Sequence, residues 1–484
     1  MRKILRERSR NLNREVWESP SVLRRRGCQD QYFFSLIPMT STDQSQPLPR
    51  DDYFHYQNCW YPVLFVQDWQ KNPYSFSLYG QPLLIFRDQQ GKWGCLLDRC
   101  PHRLAKLSTG QMIAGRLECL YHGWQFETDG KCSHIPQLPV NTPIPRNAKV
   151  KSYGVVERQG VLWVWLGEEE TAKESDIPII KDLEDPNCVH TDYVIDFPYE
   201  QGYLLENLLD PAHVNISHDR SEFGAKRENA QPLAFQILEI SARGIRSQWR
   251  NSRNPQESWK YLDFLAPNLV HYRFALPNPD WCAGLALYGI SLSQGRSRLL
   301  MRRYQNFAVN SRQYRWRWLE HLRQSRILED DLPLIQSQQQ MVEKSRDSLQ
   351  KLYLPLKSSD ALVIELRQWF DRYGDSFPYY QGYTSQRTTA IDLSDPLPLD
   401  RYSRHTVHCR TCSDAHENMV KTKQIAILMG ILLVLLAILS PNQSIYQITA
   451  LIFAILALAI AIAANYTRRK FERTYEKKAH TKLH

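Results

Sequence analysis

Residues 1–40 contain no apolar run long enough for a secretory signal, and they mix arginine with Glu7, Glu15 and Glu18, which also makes a poor organellar transit peptide. The stretch is expected to form a basic, poorly ordered leader over residues 1–50, with Met39 as an alternative start. Cysteine is scarce: ten residues in 484, irregularly spaced, exclude a small disulfide-stapled scaffold and point to a reducing compartment where thiols serve metal or redox chemistry. The formal charge of +10 is not spread along the chain. Its surplus sits at the ends, in Arg24, Arg25 and Arg26 and in Arg468, Arg469, Lys470, Lys477 and Lys478. Basic clusters beside apolar segments meet anionic lipid more readily than nucleic acid, so no nucleic-acid partner is expected.

What is present divides into segments. Dense aromatics in Tyr53-Phe-His-Tyr-Gln-Asn-Cys-Trp-Tyr-Pro62 open a first domain over residues 53–168. There, short stretches such as Pro82–Phe86 and Gly160–Leu166 alternate with turn residues, as in an antiparallel β barrel or sandwich. A charged connection, Glu168–Asp185, leads to an α+β domain over residues 185–400. That domain has a helical pattern around Tyr203–His218, strands such as Asn268–Ala275, and a long helical pattern from about Arg312 to Leu352. A segment at 401–420 carries a C-x-x-C pair. Ile425–Leu439 and Ile445–Ala464, within residues 423–465, are apolar and uncharged and are joined by Ser440–Ser444, which predicts a transmembrane helical hairpin. The second span reaches the required length, and the first borrows Lys423 and Gln424 by snorkelling. Neither has the polar face of a buried soluble helix. Lys421 and Lys423 before the hairpin, and Arg468–Lys470 in the basic tail 466–484, place both ends and the catalytic body on the cytoplasmic side.

The sharpest motif is Cys100-Pro-His102-Arg103 with Cys119-Leu-Tyr-His122-Gly-Trp124. Each of two loops offers one Cys and one His, the mixed ligation that raises the potential of a Rieske [2Fe–2S] cluster. A structural zinc site would pair Cys with Cys on each loop. The second constellation is Glu206-Asn207-Leu-Leu-Asp210-Pro-Ala-His213-Val-Asn-Ile-Ser-His218. Asn207, Asp210 and His213 recur at helical spacing, so a single helix is expected to point all three inward. His218 requires that helix to bend or end, and Pro211 and Asn215 allow it. Two neutral imidazoles and one carboxylate make the facial triad of non-haem Fe(II) oxygenases. The carboxylate is sought in Ile327-Leu-Glu-Asp-Asp-Leu-Pro-Leu-Ile-Gln-Ser-Gln-Gln339, with Asp331 preferred and Asp330 as competitor. On its own, an Asp-Asp pair is an ordinary solvated first turn.

From Trp60-Tyr-Pro62 to about Gln339 these residues resemble the Rieske non-haem iron oxygenase family. Leu328–Gln339, and Arg401-Tyr-Ser-Arg-His-Thr-Val-His-Cys-Arg-Thr-Cys412 followed by paired apolar helices, are most similar to its pheophorbide a oxygenase and chlorophyllide a oxygenase branch. The resemblance implies an N-terminal Rieske domain and a helix-grip-like catalytic domain. It implies Cys100, His102, Cys119 and His122 as cluster ligands, and His213, His218 and Asp331 as ligands of a mononuclear Fe(II). It also implies Asp210 as a bridge for electrons between neighbouring subunits of a homotrimer, with Asn207 near the iron. The expected activity is monooxygenation of a chlorophyll-derived tetrapyrrole with ferredoxin or a similar reductase, in a thylakoid, cyanobacterial plasma or plastid membrane. The alternatives are a translocon-associated-type Rieske redox or regulatory protein, and an oxygenase of another hydrophobic ring compound. Cys409 and Cys412 are read three ways: a thiol–disulfide switch, half of a metal site, or two ordinary cysteines. The resemblance implies thioredoxin as a partner at Cys409 and Cys412. Cys28, Cys59, Cys95, Cys132, Cys188 and Cys282 have no partners by spacing and read as small buried residues.

Overall fold

Gln81-Pro-Leu-Leu-Ile-Phe-Arg87 shows how the first domain is assembled. Successive side chains of a strand point to opposite faces. Leu84 and Phe86 accordingly enter a small core with Leu96, Leu117 and Phe126, while Leu83 and Ile85 enter a larger one. This computed structural model describes residues 53–70, 72–220, 224–309, 316–385 and 397–473. The expectations for the leader at 1–50, and for Lys477 and Lys478, lie outside them.

Three antiparallel sheets build the first domain. One pairs Trp60–Phe65 and Val155–Arg158 with the central strand Val161–Trp165. A second runs Tyr74–Leu78, Gln81–Arg87, Trp93–Leu97 and Ser152–Tyr153. The third is a short meander of Gln111–Ile113, Arg116–Glu118, Gln125–Phe126 and Cys132–His134. The charged connection is a chain of 3₁₀ turns pinned by buried Ile177 and Ile180.

A seven-stranded antiparallel sheet follows, in the order Val189–Phe197, Arg296–Gln305, Ala283–Ser293, Leu269–Arg273, Lys260–Leu265, Gly244–Asn251 and Leu233–Ser241. Its first two strands are in register at Asp196 opposite Arg298 and Asp192 opposite Arg302. Both pairs are buried and bidentate, at 2.6 and 2.9 Å and at 2.7 and 2.8 Å. The helix Gln201–Leu208 lies on this sheet over Gly289, where an added Cβ would stand 3.2 Å from Leu204 and Leu205. Gln201 ties it down by donating to the carbonyls of Pro267 and Gly289. The Trp60–Phe65 and Val161–Trp165 strands share one continuous core with this sheet.

The long helical pattern is realised as Arg317–Ser345, shorter than the sequence implies. It stops because Arg346 turns left-handed at φ 57°, and Leu349–Leu352 forms a separate turn. Glu329, in its middle, is fully buried. Arg401 donates to both its oxygens at 3.0 and 2.6 Å, and Arg404 adds a bond of 3.0 Å. Behind them, two helices, Arg410–Leu439 and Ile445–Glu472, are long and apolar enough to cross a membrane. They face each other through Ala450, Ala454, Ala457, Ala461 and Ala464, a spacing of small residues that lets helices approach closely. Their large residues, among them Leu439, Ile455 and Leu458, face outward. Both feet of the hairpin are fastened to the body, Arg410 N donating to Asp68 Oδ1 at 3.1 Å and Thr406 Oγ1 to the Phe471 carbonyl at 2.9 Å, and they are tied to each other where His416 meets Glu472 at 2.7 Å.

Removing one partner of a buried ion pair leaves an uncompensated charge. Glu329→Ala, which strands two guanidiniums, is expected to destabilise the detergent-solubilised protein by about 3–5 kcal/mol in denaturant titrations. An unchanged midpoint would mean that Arg401 and Arg404 are held by something else.

Candidate metal centres

The two Cys-His loops repeat one backbone fold. Cys100 N donates to the Ala105 carbonyl and Leu104 N to the Cys100 carbonyl, at 2.8 and 3.0 Å. Cys119 N and Gly123 N do the same to Trp124 and Cys119, at 2.9 and 2.8 Å. The equivalent fifth residues, Leu104 and Gly123, both have positive φ, 63° and 74°. At Gly123 a Cβ would also come within 2.8 Å of the Pro136 ring. The result puts both thiols inside, each 2% exposed, and both imidazoles outward with ring centroids 4.4 Å apart. His102 stacks flat on Trp124 at 4.6 Å. Burial, with Cys119 adding to it, pushes the Cys100 thiol up to about 11, against hydrogen bonds from the backbone of His102 and Arg103. A thiol so placed becomes a thiolate when a cation compensates its charge. Buried sulfurs on one side and outward nitrogens on the other fit a cluster whose two irons are ligated differently.

The second centre is built on a break. The helix Gln201–Leu208 ends at Leu209, and a short helix resumes at Val214–Ser217. The expectation of one helix carrying Asn207, Asp210 and His213 is therefore corrected. Pro211 interrupts the chain, and Asp210 Oδ1 accepts from Ala212 N at 2.8 Å and His213 N at 3.4 Å, turning the backbone into the second helix. That break lets His213 and His218 face one another, ring centroids 5.4 Å apart.

Asp331 meets both. Its Oδ2 lies 3.5 Å from His213 Nε2 and 3.2 Å from His218 Nε2. Asn207 Nδ2 donates to the same oxygen at 3.3 Å. Asp330 instead stands 3.6 Å from His218 Nδ1. The far nitrogen of His213 lies 3.5 Å from Asp210 Oδ2, outside hydrogen-bond geometry. Burial alone would raise the Asp331 carboxyl, but the two imidazoles hold it far below the carboxylate range. Burial opposes a charged His213, yet Asp210 and Asp331 outweigh it and push its ring up to about 10. The pocket thus attracts positive charge. One atom each from His213, His218 and Asp331 lies within 4.8 Å of the others. Ligands bound at about 2.1 Å and at right angles stand about 3 Å apart, so these spacings fit a facial triad on a mononuclear iron. Asp210 faces the outer nitrogen of His213, where the resemblance puts a bridging carboxylate, whereas the sequence did not reveal that Asp330 faces the outer nitrogen of His218, as the carboxylates that orient metal-ligating imidazoles do.

Residues 59–153 match the family described as Rieske [2Fe-2S] domain, and residues 264–348 the family described as Pheophorbide a oxygenase. Protein TIC 55 of Arabidopsis thaliana is 35% identical over 84% of this chain and 80% of its own length. The pheophorbide a oxygenase of Oryza sativa subsp. japonica is 30% identical over 87% of this chain and 84% of its own. The chain belongs to the Rieske oxygenase family, in its pheophorbide a oxygenase branch. It is an oxidoreductase whose cofactors are a [2Fe–2S] cluster and a mononuclear iron. The fold agrees: dicamba monooxygenase superposes with a TM-score of 0.55 over 66% of this chain and 97% of that one, at 21% identity.

Asp331→Ala is expected to empty the mononuclear site while the reduced-cluster EPR signal stays at full intensity. Asp330→Ala should retain that iron. The reverse pattern in metal analysis would hand the ligand role to Asp330. Gly123→Ala, strained by its φ and by Pro136, is expected to lower cluster content, read from the same EPR signal.

Proposed function

We propose that this chain is a membrane-anchored monooxygenase that inserts one atom of O₂ into a chlorophyll-derived tetrapyrrole, with electrons from ferredoxin or a similar reductase. Substrate C–H, O₂, two electrons and two protons give the hydroxylated product and water. The observation that carries the reading is the convergence of His213, His218 and Asp331 in a chain that also holds the two Cys-His loops. When bound, the cluster stores one electron at a time and the mononuclear iron activates dioxygen.

The side chains divide the remaining work. Cys100, His102, Cys119 and His122 hold the cluster, with the two imidazoles facing a partner. Asn207 orients Asp331 through the shared oxygen. Asp210, its Oδ1 pinned by backbone amides and its Oδ2 turned to His213 Nδ1, is the bridge that receives a ring N–H from His122 of an adjacent subunit in a trimer, a role supported by its position beside the iron histidine. A carboxylate between two imidazoles fixes their tautomers and their separation together. The substrate class follows from pheophorbide a oxygenase as relative and from the apolar hairpin, which suits a lipid-partitioning ligand. The membrane is that of a plastid or photosynthetic cell, with the body on the cytoplasmic or stromal side beside Lys421, Lys423 and Arg468–Lys470. The likeness to TIC 55 favours a second reading, a Rieske redox or regulatory protein.

A single turnover of reduced protein with ¹⁸O₂ and a panel of chlorophyllide, protochlorophyllide, pheophorbide, a sterol and an aromatic acid is expected to label one tetrapyrrole. No label in any of them, with both metal sites loaded, would favour the regulatory reading. Asp210→Ala should keep both sites loaded yet slow turnover by about 100-fold, as loss of an outer-shell partner does. Full activity in that variant would remove Asp210 as bridge.

A further inference from the structure

Four side chains unused by the iron chemistry meet where the body joins the hairpin. His321 comes from the second turn of Arg317–Ser345, and His405 from the residue after Arg401–Arg404. Cys409 and Cys412 come from the cap and first turn of Arg410–Leu439. None is more than 2% exposed. One donor atom from each lies within 4.8 Å of all the others. His321 Nδ1 stands 3.3 Å from Cys409 Sγ and 3.5 Å from Cys412 Sγ, and His405 Nε2 stands 3.2 Å from Cys412 Sγ. A tetrahedral ion bonded at about 2.3 Å to sulfur and 2.0–2.1 Å to nitrogen spaces sulfur and nitrogen about 3.5 Å apart.

The surroundings are organised around these atoms. His405 Nδ1–H donates to the Val194 carbonyl, which leaves Nε2 as a lone pair aimed at the sulfurs, the arrangement of a metal-ligating imidazole with its outer bond made. Tyr193 stacks on His405 at 4.3 Å and meets His321 edge-on at 5.2 Å, so both rings are held. The cysteines sit at the amino end of a long helix, which favours thiolate. Asp68 accepts from Arg410 N at 3.1 Å and from Arg317 Nη2 at 2.8 Å beside them. A hydrogen bond from Cys412 holds the Cys409 thiol well below its ordinary value, against burial and with help from both imidazoles, while burial and Cys409 push Cys412 up, so the pair carries one thiolate until a cation compensates the second.

We propose that His321, His405, Cys409 and Cys412 form a closed structural zinc site, which fastens the helix carrying Asp331 to the foot of the membrane hairpin. Four protein ligands and no exposed position are the mark of a structural rather than a catalytic zinc. Four donors this close enclose one ion, not a two-iron cluster. A dithiol switch needs a sulfur that a partner's thiolate can reach, and here both are fully buried. Nor does a dithiol switch call for two aligned imidazoles.

The test is metal analysis of the full-length, detergent-solubilised protein produced with zinc and iron supplied. One zinc per chain is expected beside the iron, retained in Asp331→Ala and lost in Cys409→Ser, with the reduced-cluster EPR signal unchanged in Cys409→Ser. Cobalt exchanged into the wild type should give the intense thiolate charge-transfer and visible bands of a tetrahedral S₂N₂ site. If Cys409→Ser does not fold, the wild-type zinc content and cobalt spectrum decide. Wild type without zinc, whether it holds iron at these residues or carries Cys409 and Cys412 as a disulfide by peptide mass, overturns the proposal. So does zinc that leaves with Asp331.

Discussion

Glu329 sits in the middle of a 29-residue helix with no exposed surface, and the guanidiniums of Arg401 and Arg404 close around it. An isolated carboxylate there would be prohibitively costly, so the helix can be buried only when the 401–404 segment has arrived. One and two residues further on, Asp330 and Asp331 turn into the His213–His218 break. The position of the candidate iron carboxylate is thus tied to a segment about seventy residues downstream. Glu206, just ahead of Asn207, is gripped in the same way by Arg367, at 2.8 and 2.5 Å, with Gln338 of the long helix adding a bond of 2.8 Å. The helix that supplies Asp331 and the helix that leads into the histidine break are therefore each anchored by a buried ion pair. A buried pair of this kind adds little over a well-packed apolar substitute, but loss of one partner leaves a stranded charge.

The two centres differ in how they are held. The cluster loops are rigid because each closes on itself through two backbone hydrogen bonds and a left-handed residue, and only a small local core lies beneath them. Their imidazoles face outward, as suits a group that must hand electrons to another protein. The mononuclear site is assembled from elements more than a hundred residues apart, and it is closed by side-chain contacts alone. A change in the catalytic body therefore threatens the triad before it threatens the cluster.

Local patterns in the sequence carried much of this. The Cys100–His102 and Cys119–His122 spacing, the alternation in Pro82–Phe86 and the two uncharged apolar runs each depend on residues a few positions apart, and the structure bears out the Rieske, α+β and hairpin readings. The break after Leu208 was less legible, because helical spacing at Asn207, Asp210 and His213 says nothing of whether Pro211 bends a helix or ends it. Asp330 and Asp331 differ by one residue, about 100° around the helix, and only the packing of that helix decides which faces the histidines. His321 was invisible beside Cys409 and Cys412 because no local period connects a residue to partners 88 and 91 positions away. His405, four residues before Cys409, was the available hint.

The first hairpin helix begins at Arg410, inside the body, and runs without interruption to Leu439. Only from Ile425 onward is it wholly apolar, so roughly 20 Å of continuous helix lies between the buried cysteines and the apolar run, at 1.5 Å per residue. A helix is a shaft with a phase. Each residue added to that stretch would lift the body about 1.5 Å and swing it about 100° around the shaft, whereas seven would lift it about 10 Å and return it nearly to its original heading. Length and azimuth are coupled in this connection. The heading of the catalytic body relative to the apolar hairpin is therefore set by residue count, as the pitch of a screw sets where its slot comes to rest.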